Sequence, residues 1–231
     1  MKTVKFGGTS MATAAMMKKC ADILRSDDER RYVIVSAPGK RFKDDIKVTD
    51  LLYRIYSEIT NGYDTMPTLL VIYERFREIV EGLGTDFDLD AEFDAIRKGL
   101  TPDCNPNWLA SRGEYLSAKI FADYLGWPFI DAKDLIIFKE NHILSHHLTY
   151  RTAGALLDNF SHAVIPGFYG ADTHGEITTF TRGGSDVTGA VIARSVKASL
   201  YENWTDVDSV MTADPRIIDS PKQVRWISYR E

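Results

Sequence analysis

The sequence predicts an α/β fold: a three-layer α/β/α sandwich around a central, largely parallel sheet. Three observations predict it. Segments of strand and helix character alternate along the chain, the pattern of a parallel sheet with helices on both faces. Residues 32–36 (Tyr-Val-Ile-Val-Ser) form a continuous apolar run between charged residues and Ala37-Pro38-Gly39, as in a strand buried on both sides. Two strand-like segments, residues 3–6 and 177–181, each run through paired glycines into a helical pattern.

The bulk properties narrow the function classes. A chain of 231 residues makes one large domain or two small ones. With 44% hydrophobic and 26% charged residues it has the composition of a soluble globular protein. The net charge of −5, with basic residues dispersed, argues against nucleic acid or a membrane surface as the main partner. Cys20 and Cys104 stand far apart and fit no metal-ligand spacing, so reduced structural thiols in a cytoplasmic protein are expected. The opening Met-Lys-Thr-Val-Lys-Phe-Gly-Gly lacks the apolar stretch of a secretory leader, and no run approaches membrane-spanning length.

Taken in order, residues 3–6 read as a strand, Gly7-Gly8-Thr9-Ser10 as a loop, and the next segment as a helix with Met17, Cys20, Ala21 and Leu24 on one face. Lys5 stands just before the glycines, so the loop is no Walker A sequence, in which the lysine follows. After the strand at 32–36, Ser36 and Lys40 fall where ligands of open α/β sheets bind. Residues 41–47 are charged and read as a mobile loop. Thr49 or Asp50 then caps a helix carrying Leu51, Leu52, Ile55 and Ile59.

Residues 65–100 read as two peripheral helices, with Leu69, Ile72, Tyr73, Phe76 and Val80 on one and Phe93 and Ile96 on the next. A helix from Asn107 carries Leu109, Leu116 and Ile120; Glu114, beside Gly113, reads on local grounds as a solvated glutamate. Residues 128–131, 135–138 and 163–168 are strand candidates. His142, His146 and His147 fall in a polar loop without the carboxylate or cysteine spacing of a metal site. Residues 172–176 form a turn, and 198–204 a further strand ending in Thr205-Asp206. Ser228-Tyr229-Arg230-Glu231 has capping-box spacing, which reads as a helix about to begin.

The chemistry concentrates in Arg182-Gly183-Gly184-Ser185-Asp186. Adjacent glycines let the backbone approach a bound group closely. Ser185 or Asp186 can cap the following helix, whose first N–H groups then face an anion. Arg182 supplies a planar fork suited to carboxylate or phosphate. With the Lys5-Phe6-Gly7-Gly8 loop, the pattern calls for a nucleotide or another phosphorylated ligand.

Six stretches together resemble the aspartate kinase catalytic domain of the amino-acid kinase family. They are Lys5-Phe6-Gly7-Gly8-Thr9-Ser10, Val33-Ile34-Val35-Ser36-Ala37, Gly113-Glu114, Arg182-Gly183-Gly184-Ser185-Asp186, Thr205-Asp206-Val207 and Thr212-Ala213-Asp214-Pro215-Arg216. The resemblance implies the amino-acid kinase fold over residues 1–231. It implies phosphoryl transfer from ATP, with Mg²⁺, to the β-carboxylate of L-aspartate. Lys5 and Asp186 would be catalytic. Ser36, Thr49, Glu114, Arg182 and Ser185 would bind aspartate, with Glu114 on its ammonium and Arg182 on its α-carboxylate. Lys5, Gly7, Gly8, Thr9, Thr205, Asp206 and Arg216 would bind nucleotide. No protein-held metal site is implied. The resemblance also implies a cytoplasmic enzyme, homo-oligomeric at full length, whose family chain continues past Glu231 into a further nucleotide-binding segment and regulatory ACT domains. Ser209 stands where the family usually has glycine. Two other readings stay open: a non-catalytic nucleotide- or amino-acid-binding module, and a relative with another carboxylate acceptor.

Overall fold

A computed structural model describes residues 1–181, 183–205, 217–218 and 220–224. Its centre is a four-stranded parallel sheet in the order β3-β2-β1-β6. The strands are β1 (Lys2–Phe6), β2 (Arg30–Val35), β3 (Ala163–Pro166) and β6 (Leu200–Trp204). Side chains alternate across the two inner strands as the pleat requires. Val4, Phe6, Val33 and Val35 enter one apolar core, and Tyr32 and Ile34 enter the other. The register aligns Phe6 with both Val35 and Trp204, and Val35 with Pro166. The strands therefore end level with one another, and the residues that follow them share one edge.

Five helices build the first core: α1 (Ala14–Arg25), α2 (Val48–Thr60), α3 (Met66–Leu83), α4 (Leu89–Gly99) and α5 (Pro106–Leu125). The face of α1 is Met17, Cys20, Ala21 and Leu24, as the spacing predicts. Helix α5 is bounded by Asn105, whose side chain accepts from the N–H of Asn107 and Trp108, and by Gly126 in the left-handed region. Its Phe121 meets Phe6 of the sheet edge-to-face at 6.4 Å between centroids. Helices α6 (His146–Leu157) and α7 (Gly184–Ser195) cover the other face. A separate antiparallel hairpin joins β4 (Tyr169–Ala171) to β5 (Ile177–Thr179) across the turn at 172–176. No described helix is long and apolar enough to cross a membrane.

The structure differs from expectation at several places, each with a local cause. Residues 65–100 are not peripheral: Phe76, Ile72 and Ile79 are among the most deeply buried side chains. Residues 128–131 and 135–138 make only isolated bridges, Phe129 to Val164, Ile137 to Ala171 and Phe138 to Leu144. Between them the Asp131 side chain accepts from the Lys133 N–H and turns the chain into a 3-10 turn. His146 and His147 open α6 instead of lying in a loop. That helix gives little periodic signal, since it buries only Thr149, Ala153 and Leu157. Helix α2 starts at Val48, with Lys47 at the cap position, so neither Thr49 nor Asp50 caps it. Helix α7 is capped by Gly183 in the left-handed region, with Ser185 and Asp186 already inside its first turn.

Candidate active site at the carboxyl edge of the sheet

The level strand ends open into a cleft of about 440 Å³ lined, among the described residues, by five segments. Lys5, Gly7, Gly8 and Thr9 come from the end of β1, and residues 36–40 from the end of β2. Lys47 and Thr49 come from the start of α2, Glu114 from α5 and Thr205 from the end of β6. Ligand sites of open α/β sheets lie at this edge. Of the described ionisable groups lining the cleft, three are lysines (Lys5, Lys40, Lys47) and one is a carboxyl (Glu114), a balance that favours an anion.

Lys5 is the central cation. Its place on β1 turns it away from the Val4 and Phe6 side of the sheet, toward α7. There Nζ lies 2.7 Å from Asp186 Oδ1. Lys5 is 8% exposed, so the pair is half desolvated on the lysine side while Asp186 keeps access to water. Asn203 of β6 donates to the same Asp186 oxygen at 3.0 Å, and the Tyr201 hydroxyl reaches the Asp186 carbonyl at 3.3 Å. Asp186 is thus held from β6 and holds Lys5 in turn.

The first glycine loop is built by a close backbone crossing. Gly39 N–H donates to the Gly8 carbonyl at 2.7 Å, and a Cβ at position 39 would fall 2.6 Å from the Gly8 carbonyl carbon. Only a residue without a side chain fits there. The loop does not lead straight into α1 as expected. A turn through residues 9–12 intervenes, in which Met11 N–H bonds the carbonyls of Gly7 and Gly8, and Thr13 caps the helix. Phosphate groups would meet loop N–H groups here rather than a helix terminus.

Glu114 departs most from the local reading. It is not solvated but 5% exposed, and its Oε2 has no hydrogen-bond partner among the described residues. Gly113 places it there: a Cβ on Gly113 would lie 2.8 Å from the Ala37 Cβ and 3.3 Å from Val48 Cγ1, so α5 packs directly under the 37–48 segment. Burial pushes the Glu114 pKa up to about 8, with the Ala37 amide pulling the other way. A buried carboxyl that faces a cleft with one oxygen unbonded among the described residues suits a ligand that brings its own cation.

Ser36 and Thr49 line the cleft with Glu114, as do Gly7, Gly8, Thr9 and Thr205. Ser185 lies just outside the lining and packs on Gly167, where a Cβ would meet its Oγ at 2.5 Å. Phe168 next to it adopts φ 78°, a strained conformation for a bulky residue, held by Thr188 Oγ1 accepting its N–H. Arg182, Asp206 and Arg216 lie outside the described residues, as do Ser209 and residues 228–231.

Sequence reasoning missed Lys47, Asn203 and Arg75. The 41–47 loop, expected to be mobile, is tied down: Asp45 pairs with Arg41 at 2.9 Å and with buried Arg75 at 3.1 Å. Desolvation opposes the Asp45 charge, but the Arg41 hydrogen bonds and Arg75 outweigh it and hold the carboxyl well below its usual range. Helix α3 carries Arg75 and Arg77, and nothing in the sequence marks Arg75 as the one that turns inward.

The fold and the cleft define a class: α/β proteins with an open cleft at the carboxyl edge of a parallel sheet, where a strand-borne lysine precedes a glycine loop. The chain belongs to the amino acid kinase family, whose model matches residues 2–231. It is 32% identical to aspartokinase 3 of Bacillus subtilis over the whole chain, which covers 54% of that protein. The aspartate kinase structure from Clostridium acetobutylicum superposes with a TM-score of 0.95 at 42% identity, over 100% of this chain and 53% of that one. Escherichia coli aspartokinase III, in complex with lysine and aspartate, superposes with a TM-score of 0.82 at 25% identity, covering 97% of this chain and 53% of its own. The chain thus spans about half the length of these relatives.

Proposed function

We propose that the cleft transfers the γ-phosphoryl group of ATP to the β-carboxylate of L-aspartate, giving 4-phospho-L-aspartate and ADP. This would be the entry step to lysine, threonine and methionine synthesis. In this reading residues 1–231 belong to the catalytic domain of a cytoplasmic enzyme that is a homo-oligomer at full length. The observation that carries the reading is the Lys5–Asp186 pair at the strand edge, in a cleft that also holds buried Glu114, whose Oε2 has no partner among the described residues. The names of the relatives support the acceptor: all three are aspartate kinases by name, and one is described bound to lysine and aspartate.

The acceptor is a small zwitterion with two carboxylates. Its ammonium meets Glu114, and its α-carboxylate meets the Arg182 fork. Ser36 and Thr49 supply hydroxyls along the same wall, and the α7 start at Ser185 supplies N–H groups. The β-carboxylate then stands near the phosphate tail. One of its oxygens bonds the γ-phosphorus as the bond to the β,γ-bridging oxygen breaks, and ADP leaves with that electron pair.

Two anions must approach for this to happen, so charge screening and alignment dominate the barrier. Lys5 is the cation at the junction, oriented by Asp186 and ready to follow charge onto the bridging oxygen. Gly7, Gly8 and Thr9 offer backbone N–H groups to the phosphates, and Thr205, Asp206 and Arg216 hold the rest of the nucleotide. Mg²⁺, bound with the nucleotide, would add to the screening of phosphate charge that Lys5 and the loop N–H groups supply.

The test is ADP release by the full-length protein with aspartate as acceptor, beside N-acetylglutamate. Aspartate-dependent release is expected. Turnover with N-acetylglutamate alone would defeat the acceptor assignment, and nucleotide binding without transfer would favour a non-catalytic module.

A further inference from the structure

Arg75 lies in α3, is 3% exposed, and belongs to a helix that contributes no residue to the cleft lining. Its guanidinium nevertheless reaches the cleft's supports. Nη2 donates to the Gly39 carbonyl and lies 3.1 Å from Asp45 Oδ2, while Nη1 donates to the Ile46 carbonyl. Those two carbonyls bracket residues 40–45 of the loop between β2 and α2. The flanks of that loop, Gly39-Lys40 on one side and Lys47 on the other, line the cleft. One rigid fork serving acceptors on both sides of that stretch is arginine geometry, which an ammonium does not reproduce.

The rest of the network closes around it. Asp45 also accepts from the Arg41 backbone N–H and Nε at 2.9 Å each and from the Ile46 N–H at 3.0 Å. Arg41 continues to Glu78, three residues along α3 from Arg75, at 3.0 Å. On the other side, Gly39, gripped through its carbonyl, donates its N–H to Gly8 at 2.7 Å. A line of hydrogen bonds therefore runs from α3 through the lysine-bearing loop to the glycine loop beside Lys5. Burying an arginine–aspartate pair brings a desolvation penalty that well-packed apolar residues would avoid, so stability alone is a weak reason for it.

We propose that Arg75 is a positioning residue for the cleft: by holding both ends of the 39–46 loop it sets where Lys40 and Lys47 stand. These two cations then screen the approach of the acceptor carboxylate to the phosphates. The inference rests on the aspartate kinase reading of the cleft.

The experiment uses the full-length protein. Arg75→Lys keeps a cation beside Asp45 but cannot span both carbonyls. The expected result is an acceptor KM raised about tenfold or more, with the nucleotide KM changed less than about threefold, on the scale of other orienting contacts. Amides of residues 40–47 should exchange at least about tenfold faster at an unchanged melting temperature. Lys40→Ala/Lys47→Ala should raise the acceptor KM similarly, and adding Arg75→Lys to it should change little more, because the residues act in series.

An unchanged acceptor KM in active Arg75→Lys enzyme, or effects that simply multiply in the triple variant, overturns the proposal. Should the wild-type protein transfer nothing to aspartate, the reading of the cleft fails, and loop exchange alone decides whether Arg75 sets the loop. Should Arg75→Lys fail to fold, Asp45→Asn reads the same loop: faster exchange with a raised acceptor KM supports the clamp, and no change in either overturns it.

Discussion

The ammonium of Lys5 sits 2.7 Å from the carboxylate of Asp186, joining the first strand of the sheet to the first turn of its last described helix. Three observations give the contact a direction. Asn203 holds Asp186 from β6, Lys5 is almost wholly buried, and the lysine still lines the cleft. Asp186 is the support, and Lys5 is the group presented to a ligand.

Lys5→Ala should lower kcat by about 10³-fold, the scale of a lost charge-stabilising donor, while leaving aspartate binding measurable. Asp186→Asn keeps the shape but removes the charge that orients Lys5, and should lower kcat about 10- to 100-fold. Steady-state kinetics with aspartate calorimetry check both. Unchanged turnover in Lys5→Ala would refute the role given to Lys5.

Glu114 predicts a pH dependence for the acceptor. With its pKa at about 8, the carboxyl is mostly protonated in the free cleft at neutral pH. An incoming ammonium needs the carboxylate. Aspartate affinity should therefore fall as pH drops below 8, by about tenfold per unit, with one proton released per ligand bound. Glu114→Gln should flatten the profile, read by calorimetry in buffers of different ionisation enthalpy. The linkage to folding has the opposite sense. A carboxyl whose folded pKa lies above its unfolded value binds protons preferentially in the fold, so Glu114 favours folding below about pH 4.5 and loses that contribution as pH rises to about 8.

Gly39→Ala should damage the site more than its size suggests. The added Cβ would meet the Gly8 and Thr9 backbone at 2.6 to 2.9 Å, and no flexible side chain is there to yield. Overpacking of this kind destabilises by about 1–3 kcal/mol. The nucleotide KM should rise with it, because the Gly8 backbone must shift. A loss of melting temperature with unaltered nucleotide KM would place the glycine loop elsewhere.

Arg182→Lys should weaken aspartate far more than ATP, since an ammonium replaces a bidentate fork. Equal weakening of the two ligands would count against that placement.

Much of this site is legible in the sequence because its parts follow strands. In a parallel sheet every strand end reaches the same edge, so Gly7, Ser36 and Thr205 are neighbours once residues 3–6, 32–36 and 198–204 are read as strands. The apolar face of α1 is legible for a similar reason: one helix buried on one side leaves a clean period. Glu114 is harder. Its burial depends on Gly113 meeting Ala37 and Val48, a contact between segments far apart in the chain. The clamp at Arg75 is not legible at all, since charges at 41–47 look the same whether they face water or a buried partner. Helix α6 escapes notice because alanine, threonine and glycine make up much of the segment and give little apolar contrast.

The most direct measurement is chemical trapping of the product. The full-length protein, given ATP, Mg²⁺ and L-aspartate in hydroxylamine, should form β-aspartyl hydroxamate in step with ADP, and Lys5→Ala should form almost none. ADP released without hydroxamate, or hydroxamate undiminished in Lys5→Ala, would contradict the account.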